Sequence, residues 1–491
     1  MGAGNVWAMI VQLVSLPLVL KGLGSTAFGL WVLIQTFSAN SGWLSLLDAG
    51  LVTAGTREIA IGESLGDRAR SATTTVTLLI FLAAIGIVAG AVFGVLGVTV
   101  LPGLFGTPES LDHAFRVAAV FFGAQVVFDF LTNGLEGALE GVHRVDLSRV
   151  IDAVRRTGIA IATSIAALVT KNLATVSGWS LVASVVATIT GSVLLAGRRL
   201  DWCGPTRAAT RALFQYGKTV AFLRPIGVLH RTVDRMIVGI ILGPQAVTLV
   251  EIATQIQGGA DAFVSASSYA VMPSAAWLHA REDHGTLRQL LDRGTKYLLV
   301  LCIPLMLTIM VLAGPIVRVW VGPRYGDAAG LVAVALIYQV IVAPMAIGSN
   351  MLLGSGHAGD ILRAVLAAIA INVGLSIVLV NHIGIVGAFI ATIAGAVVST
   401  PMLLRSILRR FATPLAEFVR SAIVPCLAPS LLAALGAAIG LLLGSRALIQ
   451  LILGIAFAGL VAIPAALRWS VTRAELTAIL RRRSPADEGI A

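Results

Sequence analysis

Arg224, Arg231 and Arg235 stand at i, i+7 and i+11 within one apolar stretch. At about 100° and 1.5 Å per residue, they fall within about 40° of one another along roughly 16 Å of helix. Guanidinium groups grip phosphate oxygens bidentately and keep their proton. A column of them facing a water-filled cleft suits an anionic passenger, a phosphate or diphosphate above all. Asp234 offers the structural alternative, pairing with Arg231 or Arg235 to lock helix packing while Arg224 sits near the cytoplasmic interface.

Neighbouring stretches carry further polar groups. Glu251, Thr254, Gln255, Gly258 and Asp261 form one stripe at helical spacing. Glu251 suits a proton carrier or an ion-pair partner for one of the arginines equally well. Ser38, Ser41, Ser45 and Asp48 make a second stripe, and Arg116, Asp129, Asn133 and Glu136 share a third stretch. An ionisable group inside a membrane costs roughly 2.5–3.5 kcal/mol on insertion scales, which makes such groups the best pointers to function. Arg224, Arg231, Arg235 and Arg116 are therefore the expected cavity cations. Glu251, Asp261, Asp48, Asp129 and Gln255 are the expected coupling or polar lining groups. No HxxxH, CxxC or Cys/His spacing occurs, and Cys203, Cys302 and Cys426 lie far apart, so neither a metal nor a cofactor is expected. There is no Walker A loop and no catalytic constellation.

The elements that must position these groups are membrane helices. Of 491 residues, 57% are hydrophobic and only 12% charged; mean hydropathy is +0.93. No soluble globule of this size hides so much apolar surface, and disorder, collagen and disulfide scaffolds are excluded too. Uncharged runs long enough for roughly 20-residue spans, with three further stretches holding internal charges, give fourteen expected helices. The runs at 1–20 and 22–47 are read as spans 1 and 2, 222–243 as span 7 and 245–272 as span 8. Residues 1–20 lack a basic n-region and a cleavage site, and are read as a span rather than a signal peptide. With both termini cytoplasmic, 26 of the 35 Lys and Arg fall in inside loops, 5 outside and 4 within spans. The net charge of +11 is then topology, and nucleic acid is not an expected partner.

Two halves of the chain resemble each other. Leu23–Ala27 aligns with Leu242–Ala246 at an offset of 219, Phe105-Gly106 with Val321-Gly322 at 216, and His143–Arg149 with His357–Arg363, both HxxDxxR, at 214. Six helices separate the equivalents, so the repeats run parallel about an axis along the membrane normal. The expected organisation is an N-lobe (1–200), a C-lobe (201–411), an appended pair (412–468) and a basic tail (469–491).

Leu23–Trp31, Leu46–Leu51, Arg57–Ala60, Val233–Gly239 with Leu242-Gly243, and Trp320-Val321-Gly322 resemble the polysaccharide-lipid flippases of the multidrug/oligosaccharidyl-lipid/polysaccharide exporter superfamily, over roughly residues 10–410. The resemblance implies an all-α fold of two six-helix lobes around a cationic cavity lined in part by Arg224 and Arg231. It implies a substrate built as a glycan on a polyprenyl diphosphate, carried from the inner to the outer leaflet of a bacterial inner membrane. Membrane lipids, a polysaccharide polymerase and glycosyltransferases are the other partners it implies. A lipid II-type flippase is barely separable on sequence. A multidrug or cation antiporter would want embedded acids and few cavity arginines. A membrane glycosyltransferase would want paired acids and a large outer region. A channel or scaffold without transport would tolerate loss of Arg224 and Arg231.

Overall fold

A computed structural model of the chain describes residues 2–197, 204–221 and 224–470. All regular structure among them is helical. The helices are α1 (Gly2–Gln35), α2 (Leu51–Ser64), α3 (Arg68–Thr99), α4 (Leu101–Leu104), α5 (Glu109–Gly141), α6 (Val145–Thr170) and α7 (Leu173–Ala196). Then come α8 (Arg207–Ala221), α9 (Arg224–Leu242), α10 (Pro244–Ser268), α11 (Val271–Ala280), α12 (His284–Val311), α13 (Ala313–Trp320) and α14 (Ala328–Val342). The last are α15 (Ala346–Gly354), α16 (Ala358–Ile383), α17 (Ile385–Arg410), α18 (Leu415–Phe418), α19 (Val424–Leu443) and α20 (Ala447–Ala465). Residues 471–491 of the basic tail, with Arg481, Arg482 and Arg483, lie outside the described residues.

Eleven helices among the described residues are long and apolar enough to cross a membrane. The chain is a multi-pass membrane protein. The expected fourteen are not reached by length and apolarity alone, and the shortfall falls at spans 2, 7 and 8. The junction between spans 1 and 2 sits at Gly24 (φ 77°, ψ 170°), inside a merged α1, rather than at Lys21. The run read as span 2 is helical only to Gln35 and resumes as helix at Leu51, with a short 3-10 turn, Trp43–Asp48, between. Helices α9 and α10 carry the charges and amides noted above.

The internal repeat is written in the backbone. Left-handed residues that end or join helices recur at nearly one interval: Gly24 and Gly243 (φ 77° and 83°), Gly66 and Glu282 (70° and 56°), Gly106 and Gly322 (57° and 103°), His143 and Gly356 (60° and 79°), Lys171 and Gly384 (53° and 67°). Helix starts match as well. Asp67 accepts from Arg70 N–H at 2.9 Å and Asp283 from Thr286 N–H at 3.0 Å, each capping the helix that follows. The HxxDxxR alignment is corrected by one residue. Arg144 N–H closes on the Leu139 carbonyl and His357 N–H on the Leu352 carbonyl, both at 2.8 Å, so His143 is equivalent to Gly356 and not to His357. Asp146 and Asp360 then differ by one place along their helices. Asp146 pairs with Arg144 at 2.7 Å, whereas Asp360 pairs with Arg363 at 2.8 Å and Arg410 at 3.4 Å.

Packing divides the chain into two compact units, 1–251 with 375–388 and 252–374 with 389–491. In the first, α3 and α5 approach until a Cβ on Gly90 would stand 2.1 Å from the Gly123 carbonyl oxygen. Such small-residue contacts replace the hydrophobic drive that lipid removes. Phe93 packs beside them with its ring centroid 5.2 Å from tilted Phe37 and 5.0 Å from edge-on Phe122. In the second unit α19 and α20 meet the same way, a Cβ on Gly440 falling 2.2 Å from the Gly454 nitrogen, and Leu312 fills the space over Gly454.

Candidate functional site

The serine stripe explains the break in span 2. Thr36 Oγ1 donates to the Val32 carbonyl at 2.9 Å, Ser45 Oγ to the Gly42 carbonyl at 2.6 Å, and Ser38 Oγ accepts from Ser41 N–H at 3.3 Å. Side chains that bond nearby backbone in this way compete with the helix ladder. Ala49 and Gly50 turn left-handed (φ 47° and 76°), and Asp48 Oδ1 takes the Val52 N–H at 3.0 Å to start α2. The stripe therefore runs through turns and a short 3-10 helix rather than along one face of an α-helix. Asp48 is 2% exposed and Ser45 4%, while Asn40 and Ser41 between them and Phe37 are open. Gly55 lies against Leu78 and Gly62 against Ser71, which sets 36–50 beside the second half of α3. Non-helical backbone at membrane depth survives only where protein buries it or water reaches it.

The Trp43–Asp48 turn packs against α9, the helix that carries the three arginines. The backbone of Arg224 and Arg231 belongs to α9; their side chains lie outside the described residues. Arg235 pairs with Glu251 at 2.8 Å, with side chains 26% and 13% exposed. Asp234 accepts from Ser376 Oγ at 3.2 Å. Around this corner Gly239 packs on Leu33, Gln245 Nε2 donates to Thr26 Oγ1 at 2.9 Å, and Thr248 Oγ1 to the Ser25 carbonyl at 2.6 Å.

The other expected residues lie elsewhere. Asp129 is buried between α5 and α7, with Ser184 Oγ at 2.9 Å and Gln125 Nε2 at 3.2 Å, both donating to it. Arg116 pairs with Asp112 at 2.7 Å and donates to the Val98 carbonyl, at the end of α3 where the chain turns toward α5. Asp261 and Gln255 belong to the second unit, where Asp261 accepts from Gln339 Nε2 at 3.2 Å.

One charged cluster was not singled out in the sequence. Arg155, read there only as a loop cation, lies inside α6, 5% exposed, with Asp152 at 3.0 Å and Glu136 of α5 at 3.4 Å; Arg156 adds a bond to Asp152 at 2.7 Å. The Asp152, Arg155, Arg156 spacing was the available signal, and it is the spacing of ordinary surface pairs too. Among the described residues no three His, Cys, Asp or Glu gather in a way that would hold a metal ion.

The family described as polysaccharide biosynthesis protein matches residues 69–330. A Haloferax volcanii protein named probable low-salt glycan biosynthesis flippase Agl15 is 25% identical over 285 residues, 58% of this chain. The chain covers 59% of that relative's length, less than two thirds of it. Among solved structures, the lipid II flippase MurJ in an inward closed conformation superposes with a TM-score of 0.70 over 98% of both chains at 12% identity. An inward-facing multidrug resistance MATE family transporter of the MOP superfamily gives 0.69 over 84% of this chain and 95% of its own at 14% identity. The shared property at these identities is the fold.

Proposed function

The chain belongs to the polysaccharide biosynthesis protein family, and from that membership we propose that it flips a polyprenyl-diphosphate-linked oligosaccharide from the inner to the outer leaflet by alternating access. One observation carries the reading: the break in span 2 packs directly on the arginine-bearing helix α9. Broken helices and intramembrane cations are how transporters of this build hold polar cargo near the bilayer midplane. The glycan and its diphosphate cannot cross about 30 Å of hydrocarbon unaided. A polar cleft replaces their water while the isoprenoid stays in lipid.

The name of the Haloferax relative supports the flippase reading, and the fold shared with MurJ and the MATE transporter supports movement of one half of the repeat against the other. The 26-to-5 bias of Lys and Arg supports an inner-membrane protein with cytoplasmic termini. No bond of the cargo is made or broken, so the protein is a transporter and not an enzyme. A polymerase and glycosyltransferases act before and after it on the same carrier. The driving force is the membrane potential, about 2.3 kcal/mol per charge per 100 mV.

The test is reconstitution. Purified protein in proteoliposomes should move a fluorescent polyprenyl-diphosphate oligosaccharide to the leaflet where a quencher reaches it, and should move lipid II and a cationic dye much more slowly. Equal transport of lipid II would move the assignment to that substrate, and transport of the dye alone would overturn it.

A further inference from the structure

The contact between α5 and α7 in the first unit buries a carboxylate that the arginines of α9 do not explain. Asp129 is 1% exposed. It stands about 18 Å from the Gly141 end of α5 at 1.5 Å per residue, the end that the positive-inside rule places in the cytoplasm. Its two bonds come from neutral groups, Ser184 Oγ at 2.9 Å and Gln125 Nε2 at 3.2 Å. Arg155, whose field reaches it, pairs instead with Asp152 and Glu136. An ionised carboxylate held this way at membrane depth is costly without a counter-charge.

Two oxygens beside it are unmatched as well. Gln125 Oε1 and Ser180 Oγ are buried without a hydrogen-bond partner, on residues 2% and 0% exposed. The Gln125 amide turns its nitrogen to Asp129 because its oxygen would repel the carboxylate, so Oε1 sits at the same corner with no donor to accept from. Ser180 belongs to a one-face ladder on α7, Ser177, Ser180, Ser184 and Thr188. The other three bond into α5: Ser177 Oγ to the Ala118 carbonyl at 2.7 Å, Ser184 to Asp129, and Thr188 Oγ1 to the Phe128 carbonyl at 3.1 Å. These pairs set α5 and α7 parallel and put Ser180 beside Gln125, one turn before the Asp129–Ser184 bond. A helical serine with no other task bonds its own backbone, as Ser192 does to the Thr188 carbonyl at 2.8 Å. Ser180 does not.

We propose that Asp129, Gln125, Ser180 and Ser184 form a buried site for one sodium ion. All four offer oxygens, the donors that hard cations take. One carboxylate supplies one negative charge, matching a monovalent ion; no three His, Cys, Asp or Glu gather among the described residues to hold a divalent one. The reach of Ser177 Oγ to the α5 backbone shows how closely the helices approach, which favours sodium over the larger potassium. A proton on Asp129 would cancel its charge but leave both unmatched oxygens as they are. The ion does both, and so ties α7 to α5. Glu136 and Glu140 continue the Asp129 face of α5 at i+7 and i+11, an acidic approach from the cytoplasmic end.

The site is separate from the cargo, so its test does not depend on the flippase reading. Thermal unfolding of the full-length protein in detergent is followed at neutral pH in NaCl, KCl and choline chloride of equal ionic strength. Saturating NaCl should raise the midpoint by about 2–4 °C over either other salt. Asp129→Asn, which keeps the shape and removes the charge, should abolish the difference. Ser180→Ala should raise the half-saturating sodium concentration about tenfold, and Ser192→Ala, on the exposed face of α7, should leave it unchanged. If Asp129→Asn does not fold, the comparison of Ser180→Ala with Ser192→Ala decides. Equal midpoints in the three salts, or a sodium response undiminished in Asp129→Asn or in Ser180→Ala, would overturn the proposal. So would a midpoint that follows pH and not sodium and loses that dependence in Asp129→Asn, which would assign the site to a proton.

Discussion

Gln245 Nε2 donates to Thr26 Oγ1 at 2.9 Å, and the two residues are 219 positions apart, the interval that also separates Gly24 from Gly243. They are copies of one another in the repeat. Copies touch only where the pseudo-two-fold axis passes between them. The flanking contacts are reciprocal in the same way: Thr248 Oγ1 bonds the Ser25 carbonyl, while Gly29, the copy of Thr248, lies against the carbonyl of Pro244, the copy of Ser25. A Cβ on Gly29 would fall 1.8 Å from that oxygen, so only glycine fits. This seam joins the two halves of the repeat directly. Alternating access requires it to part. With the three native cysteines replaced, Thr26→Cys with Gln245→Cys and a short thiol cross-linker should stop transport in proteoliposomes, and either single variant should not. Undiminished transport in a fully cross-linked sample would show that the seam stays closed throughout the cycle.

The pair of Arg235 and Glu251 is partly buried, and its loss is felt through the partner left behind. Glu251→Gln should lower stability by about 2 kcal/mol, between the surface and fully buried limits. The swap Arg235→Glu with Glu251→Arg should recover most of it, as judged by unfolding in detergent. A swap no better than the single variant would mean that the attraction between the two charges is not what fixes α9 on α10.

Arg155 binds two carboxylates in a nearly closed site. Arg155→Ala should therefore destabilise by about 3 kcal/mol or more. Adding Glu136→Gln should return part of that loss, because one of the two stranded charges is removed. A double-mutant cycle on purified protein measures the coupling. Strict additivity would contradict the network.

How far the sequence revealed this arrangement depended on what each residue had to distinguish it. Spans were legible because bilayer thickness demands long uncharged runs, and the repeat because Gly24 and Gly243 must both adopt a left-handed conformation. The break at 36–50 was not legible: Ser, Thr and Gly leave a run uncharged whether it is helical or not, and the hydroxyl bonds that unwind it are local geometry. The HxxDxxR match misplaced the register by one residue because aspartate caps and pairs from adjacent helix positions alike. Arg155 was missed since a buried and a solvated arginine look the same in sequence until Glu136 arrives from another helix.

Acid should loosen the start of α12. The bond from Thr286 N–H holds the Asp283 carboxyl below the usual carboxylate range. Its stabilisation is complete above the ordinary carboxylate pKa of about 4 and is lost as pH falls through the lower folded value. Amide exchange at Thr286 should quicken in that acid window, and Asp283→Asn, which caps without titrating, should flatten the change. An identical acid response in Asp283→Asn would place its origin in another group.

The role of the α9 arginines is read most directly from leaflet transfer of the fluorescent polyprenyl-diphosphate oligosaccharide by Arg224→Ala with Arg231→Ala. The variant's folding is checked first by unfolding in detergent. Losing two charge-assisted contacts to the diphosphate should slow transfer by on the order of a hundredfold, with Arg224→Lys and Arg231→Lys only partly restoring it. Transfer at the unaltered rate by the folded double variant would contradict the account.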